Sequence, residues 1–437
     1  MGTVIKSGYV LTPEGLQKGW GLRTEEGRIT EIGPWPVLTV RADDEVVELP
    51  GRLLAPGFVN GHNHMYGFLS HGITAEALVT EFSSFLEDYW WPYVEDRLDH
   101  ELVAATTAWA CVEMIDSGVT SFADILEGPH AIPGALEVER EIVERAGLRG
   151  LLSFEACQRA GEEIGALGLE ENTGFIRAAR ERGGLAQGFL SIHTLFTCDE
   201  NYVKRAKALA DGSRAPMHMH LCESVYEPGW CRERYGKRPV ELYDEWGCLD
   251  GNVLASQVVQ VPEEDLDILA QRGVRAVTMP LSNCEVGGGV APVTEMLERG
   301  MTVGLGTDGY VNNFFEVMRG AFLIHKAHRQ DPQAMPAKTV YRMATEMGAR
   351  ALGLEETGTL EAGKAADVIA IALDTPTPIN EHNVYDQLVL FRGPADVTDV
   401  MAAGRWLKRE GRILTIDPSA ARERLRAAAE SFWNPQR

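Results

Sequence analysis

Long apolar runs are missing from this chain: no window of its 437 residues approaches the ~18 uninterrupted apolar positions of a membrane-spanning helix. Basic charge is scarce too, with 41 Lys and Arg against 64 Asp and Glu, for a net charge of −23. Such a surface repels phosphate backbones and anionic headgroups, which argues against nucleic acid or a membrane as partner. No CxxC motif occurs, and the seven cysteines are irregularly spaced and odd in number, as expected for reduced thiols of a cytoplasmic protein. Residues Met1 to Gly8 show no basic start leading into an apolar run, so a secretory leader is not expected. Internal repeats and low-complexity linkers are also lacking. The remaining composition, 45% apolar and 24% charged, is that of an ordinary globular protein. Its length suits one barrel-sized domain of up to roughly 250 residues together with a smaller one.

The pattern changes twice along the chain. The first fifty residues alternate short apolar stretches with Gly, Pro and Asp, as small antiparallel strands and hairpins do. Residues 366–371, 397–401 and 405–407 read the same way. The two ends are therefore expected to build one small β domain together. Between them, strand-like runs at 53–59, 118–123, 149–154, 187–193, 215–221, 252–259, 274–279 and 301–306 alternate with amphipathic stretches such as 137–146, 173–181 and 263–272. Eight strands with crossover helices close most simply as a (β/α)8 TIM barrel. The expected division is residues 1–54 and 359–437 for a β-sandwich with a terminal helix, and 55–358 for the barrel.

Chemistry-bearing residues collect where barrel enzymes keep their active sites, at the C-terminal ends of the strands. Gly61-His62-Asn63-His64 closes the first run, and residues i and i+2 of a strand face the same side. Two imidazoles so placed suit a borderline metal such as zinc. Eleven histidines give roughly 0.3 such pairs by chance, so the spacing alone decides little. A second pair, His218 and His220, ends another run and is followed by Cys222 and Glu223. Gly304-Leu305-Gly306-Thr307-Asp308-Gly309 then puts a carboxylate at the end of the last strand. Three imidazoles and a carboxylate on three strand ends point to one metal site. Trp90 and Trp91 could wall a pocket or pack on the barrel, while Cys222 and Cys284 have no adjacent base to make either a nucleophile.

These segments resemble the amidohydrolase superfamily. The likeness rests on Leu54–His64, the His220…Glu223 element, Pro280-Leu281-Ser282-Asn283, Gly304–Gly309 and Gly358–Asp367. Within it the chain is most similar to the cytosine deaminase-like, triazine hydrolase and chlorohydrolase branch. Residues 88–91, 235–241 and 307–310 resemble a selenium-metabolism-associated subgroup of that branch. The resemblance implies that His62, His64, His220 and Asp308 hold one divalent ion, zinc before iron or manganese. It also implies that Glu223 passes a proton to the leaving group, that Asp308 orients or deprotonates the attacking water, and that His193 faces the substrate. No lysine stands where a second metal would need a carbamylated bridge.

Two positions depart from the branch. Gln257 replaces the usual sixth-strand histidine, and an amide cannot exchange a proton near neutral pH. Thr278 stands where a histidine is common in the next strand. The leading expectation is a metal-dependent deaminase of a small nitrogen heterocycle, working as a homo-oligomer on a small-molecule substrate, with Gln257 able only to orient the water. The alternatives are a triazine-type hydrolase displacing chloride, alkylamine or thiolate, and a metal- or ligand-binding barrel without turnover.

Overall fold

The computed structural model describes residues 2–434. Eight parallel strands follow one another around a barrel: β1 (Phe58–Asn63), β2 (Val119–Leu126), β3 (Arg149–Ala156), β4 (Leu190–Ile192), β5 (Met217–Leu221), β6 (Val253–Gln257), β7 (Arg275–Thr278) and β8 (Val303–Leu305). Each pairs with its sequence neighbour in parallel register. The ring closes at the strand ends, where Thr307 and Asp308 donate their backbone N–H groups to the His62 carbonyl at 2.9 and 3.1 Å. Every residue of β2 is buried, as expected of a strand covered on both faces by barrel interior and helices. Expected helices lie outside it. Glu263–Arg272 has three acidic residues in its first turn and ends on Gly273 at φ 72°, the left-handed stop that glycine adopts without strain.

The apolar run at 53–59 is not one strand. Its first part ends Glu45–Pro56, which belongs to the terminal sheet, and its last part opens β1. Gly57 lies at the division, where a Cβ would come within 2.1 Å of Thr120 Oγ1. This shift carries β1 through His62 to Asn63. The run at 187–193 is likewise broken, into Ala186–Gly188 and β4, both paired to β3.

Both termini share one nine-stranded mixed sheet. Thr3–Thr12 runs parallel to Glu45–Pro56, and Val368–Ala372 runs antiparallel along the other side of that strand. Ile5, Val10, Leu22, Leu54, Val368 and Met401 form its separate apolar core. Arg23, 1% exposed, lies against Asp44 at 3.0 and 3.1 Å and Glu25 at 2.7 Å, a pairing that makes its burial tolerable. The last helix, Pro418–Trp433, reaches back to the barrel mouth, where the Trp433 indole donates to the Leu69 carbonyl at 2.7 Å. Among the described residues, no helix is long and apolar enough to cross a membrane.

Gly306 brings the two closing strand ends together. A Cβ there would lie 2.8 Å from the His62 carbonyl oxygen and 2.9 Å from its nitrogen, backbone atoms that cannot swing aside. Gly306→Ala is expected to lower the unfolding free energy by about 1–3 kcal/mol, the usual range for overpacking. Urea titration checks this, and an unchanged midpoint would contradict the close approach.

Candidate metal centre and active-site cavity

The strand ends deliver His62, His64, His220 and Asp308 to one place. The His62 and His64 Nε2 atoms are 3.2 Å apart, and Asp308 Oδ1 lies 3.4 Å from His64 Nε2 and 3.9 Å from His62 Nε2. Nitrogens of His62, His64 and His220 lie within 4.8 Å of one another. The tautomer of His64 is set by its neighbour: Nδ1 donates to the Ile125 carbonyl at 2.5 Å, which leaves the lone pair on Nε2. Burial, reinforced by the charges of His64 and His220, holds His62 well below the ordinary histidine range, so it is neutral. His62 Nδ1 has no hydrogen-bond partner.

Asp308 stays ionised despite its burial. Burial raises its pKa, but His64, His220 and the hydrogen-bond donors around it outweigh that and leave it below the usual carboxylate range. Its Oδ2 accepts from the Gln257 amide at 2.8 Å and the Ser282 hydroxyl at 2.9 Å, and Oδ1 accepts from the Gly309 N–H at 2.9 Å. Three imidazole nitrogens and a carboxylate oxygen converge here as the ligands of a cation do. This donor set fits a divalent metal, with the nitrogen and oxygen ligands that zinc takes. Cys222, Gln257 and Asp308, at or just beyond the ends of β5, β6 and β8, have φ of 52°, 71° and 59°. Left-handed conformations of non-glycine residues cost roughly 1–3 kcal/mol each and cluster at functional sites.

Above this set opens a cavity of about 480 Å³, within the range of small-molecule sites. His64, His193, His220, Glu223, Gln257 and Asp308 line it, and His62 lies fully buried at its floor. Burial, with Asp308 nearby, pushes the Glu223 carboxyl up to about 8. Burial pushes His193 down to about 3, against the pull of Glu155. The opposite wall is aromatic, with Phe85 stacked on Trp90 at 5.5 Å and Tyr89 beside both. Trp91 also faces the cavity, its ring 6.3 Å from that of His193. The Cys222 thiol is buried and pushed well above its ordinary range, which leaves no nucleophile there.

The sequence reasoning passed over Ser282, which lies inside a quoted motif, and Glu155, which had no motif. Glu155 is 2% exposed and ends β3 on the cavity side. The available signal was its place, a carboxylate at the C-terminal end of an otherwise apolar barrel strand.

The description "Amidohydrolase family" matches residues 53–407, and the chain belongs to that family. It is a hydrolase acting on carbon–nitrogen bonds with a divalent-metal site. A 5'-deoxyadenosine deaminase of Methanosarcina mazei is 35% identical over 441 residues, covering 98% of each chain. A 5-methylthioadenosine/S-adenosylhomocysteine deaminase of Desulforudis audaxviator is 35% identical over 427 residues, covering 95% of this chain and 96% of its own. The crystal structure of an adenosine deaminase from Xanthomonas campestris with bound zinc superposes with a TM-score of 0.87 at 25% identity, over 99% of this chain and 98% of that one. Atrazine chlorohydrolase from Arthrobacter aurescens, complexed with zinc, reaches a TM-score of 0.84 at 21% identity, a likeness of fold. Hydrolytic deamination of a small nitrogen heterocycle is the reaction class these deaminases share.

Gln257 binds Asp308 through its amide N–H, and its Oε1 is buried without a partner. A carboxylate at 257 would instead face Asp308 with like charge. Gln257→Glu is expected to destabilise the metal-free protein more than Gln257→Ala, whose loss of one charge-assisted hydrogen bond costs about 1–3 kcal/mol. Thermal unfolding of both apoproteins at neutral pH checks the order, and a Gln257→Glu protein as stable as wild type would contradict it.

Proposed function

We propose that this protein deaminates the purine of an adenosine-type nucleoside that carries no 5'-phosphate. The observation that carries the reading is that the His62, His64, His220 and Asp308 set opens on the same cavity as Glu223, a carboxyl biased towards its protonated form. Names of relatives 35% identical over nearly the whole chain support the purine nucleoside. The cavity supports the missing phosphate. Two carboxylates held below their usual range, Glu155 and Asp308, line it, and no lysine or arginine among the described residues does. Arg159 lies near the wall but is engaged by Glu95 at 3.0 Å, Asp96 at 2.7 Å and Glu127. An anionic substituent would find no free lysine or arginine to pair with.

His62, His64, His220 and Asp308 would hold one zinc ion. Bound there, it supplies the Lewis acid that makes water nucleophilic near neutral pH. The chain's own groups handle the protons. Asp308, its Oδ2 held by Gln257 and Ser282, accepts a proton from the incoming water. Glu223 protonates the ring nitrogen as the water oxygen bonds to carbon. The proton held by Asp308 passes to the amino group, the carbon–nitrogen bond breaks to release ammonia, and the remaining hydroxyl proton returns to Glu223. Gln257 cannot exchange a proton, and its part is to keep Asp308 aimed. His193, on the same cavity wall, is placed to meet the base. Displacement of chloride, alkylamine or thiolate draws on nothing beyond the shared fold.

Ammonia release from adenosine, 5'-deoxyadenosine, 5'-methylthioadenosine and adenosine 5'-monophosphate tests this. The three uncharged nucleosides are expected to be deaminated, with the monophosphate slower in kcat/KM by at least about 10-fold, or about 1.4 kcal/mol. Release from none of the four would overturn the proposal. Glu223→Gln is expected to retain about one metal ion per chain yet lose about 10²–10⁴ in turnover, the usual contribution of general acid–base help. His62→Ala is expected to lose the ion itself, and elemental analysis separates the two.

A further inference from the structure

Glu155 is buried between two histidines that do different things. Its Oε1 lies 3.4 Å from His220 Nδ1 and 3.6 Å from His193 Nε2. Glu155 Oε1 and His220 Nδ1 are both buried, and neither has a hydrogen-bond partner. The backbone fixes the arrangement. Ser191 of β4 pairs with Glu155 of β3 and with His218 of β5, and the His220 N–H donates to the His193 carbonyl at 3.1 Å, so the two imidazoles stand two residues further along their strands than the carboxylate, on the same side of three adjacent strands. The other nitrogen of His193, Nδ1, lies 3.0 Å from the Thr197 hydroxyl, which leaves Nε2 for Glu155. Arg159 is taken by Glu95, Asp96 and Glu127.

We infer that Glu155 is the positioning residue of the site, a single carboxylate that fixes the tautomer of the metal-side His220 and of the substrate-side His193. A carboxylate only accepts, so it selects N–H at His220 Nδ1 and at His193 Nε2. The first choice puts the His220 lone pair on Nε2, the nitrogen left to ligate. Metal-binding histidines are commonly held this way by a carboxylate on the far nitrogen, and removing such a partner costs about 10–100-fold in metal affinity. The second choice links the two functions. The oxygen that orients His220 also sets the orientation of a ring that lines the substrate cavity. Glu155 touches neither the ion nor the reacting carbon; it acts through the two imidazoles.

The inference rests on the metal set proposed above, and its test separates the two. Zinc affinity is measured by chelator competition on the metal-free wild type, Glu155→Gln and Glu155→Asp proteins, and the His220 tautomer is read from imidazole ¹⁵N shifts of the zinc-loaded proteins. Glu155→Gln keeps the shape and removes the charge. It is expected to bind zinc about 10–100-fold more weakly, to raise KM, and to replace the single Nδ1–H form of His220 by a mixture. Glu155→Asp is expected to recover part of the loss. Wild-type affinity with an unchanged tautomer in Glu155→Gln would overturn the positioning role. Two zinc ions per wild-type chain, one of them lost in Glu155→Gln, would overturn it differently, by making Glu155 a ligand. A wild-type protein that binds no zinc would overturn the metal reading itself, and with no ligating nitrogen for Glu155 to set it would remove this one as well.

Discussion

Three imidazoles and a carboxylate crowd one buried space at the strand ends, and holding them there is the constraint on which the rest of the structure depends. His64 is denied any other role for Nε2 because the Ile125 carbonyl takes its Nδ1–H. His62 is held neutral by burial. Asp308 remains charged because Gln257, Ser282 and Gly309 supply hydrogen bonds in place of water. None of these arrangements would be favourable alone, since a buried polar group without a partner costs roughly 1–3 kcal/mol. The barrel supplies the rigidity to hold them, with His62 also part of the seam where the last strand returns to the first.

Much of this was legible in the sequence, and for physical reasons. Strand–helix alternation reports a parallel sheet because its strands are buried on both faces. HxH at a strand end reports convergence because side chains repeat every two residues. Helix Glu263–Arg272 matches its expected limits because acidic residues start it and Gly273 stops it. The run at 53–59 was misjudged because hydrophobicity continues through Gly57 while the chain changes sheets there, and only packing against Thr120 marks the change. The tie between the last helix and the Leu69 carbonyl was also invisible, for it joins residues that share no pattern. Glu155 and Ser282 were missed because their importance lies in what stands opposite them across the barrel. Amphipathic spacing says nothing of that.

Gln257 shows how a departure from a family pattern is absorbed. Read alone, an amide in place of a histidine suggests lost proton chemistry. In the folded chain its N–H completes the support of Asp308, a task that needs a donor and no change of protonation. Asp308 is kept ionised and Glu223 is biased the other way, two carboxyl groups whose surroundings push them apart and to which the proposed reaction assigns its proton transfers. Opposed shifts of this kind are how one site holds both an acid and a base at one pH.

The account depends most on where the cation sits. Crystals of the zinc-loaded protein, with diffraction recorded on both sides of the zinc absorption edge, locate it directly. One anomalous peak enclosed by His62, His64, His220 and Asp308 is the predicted result. A peak elsewhere in the barrel, or none there in a protein that still turns over substrate, would contradict it.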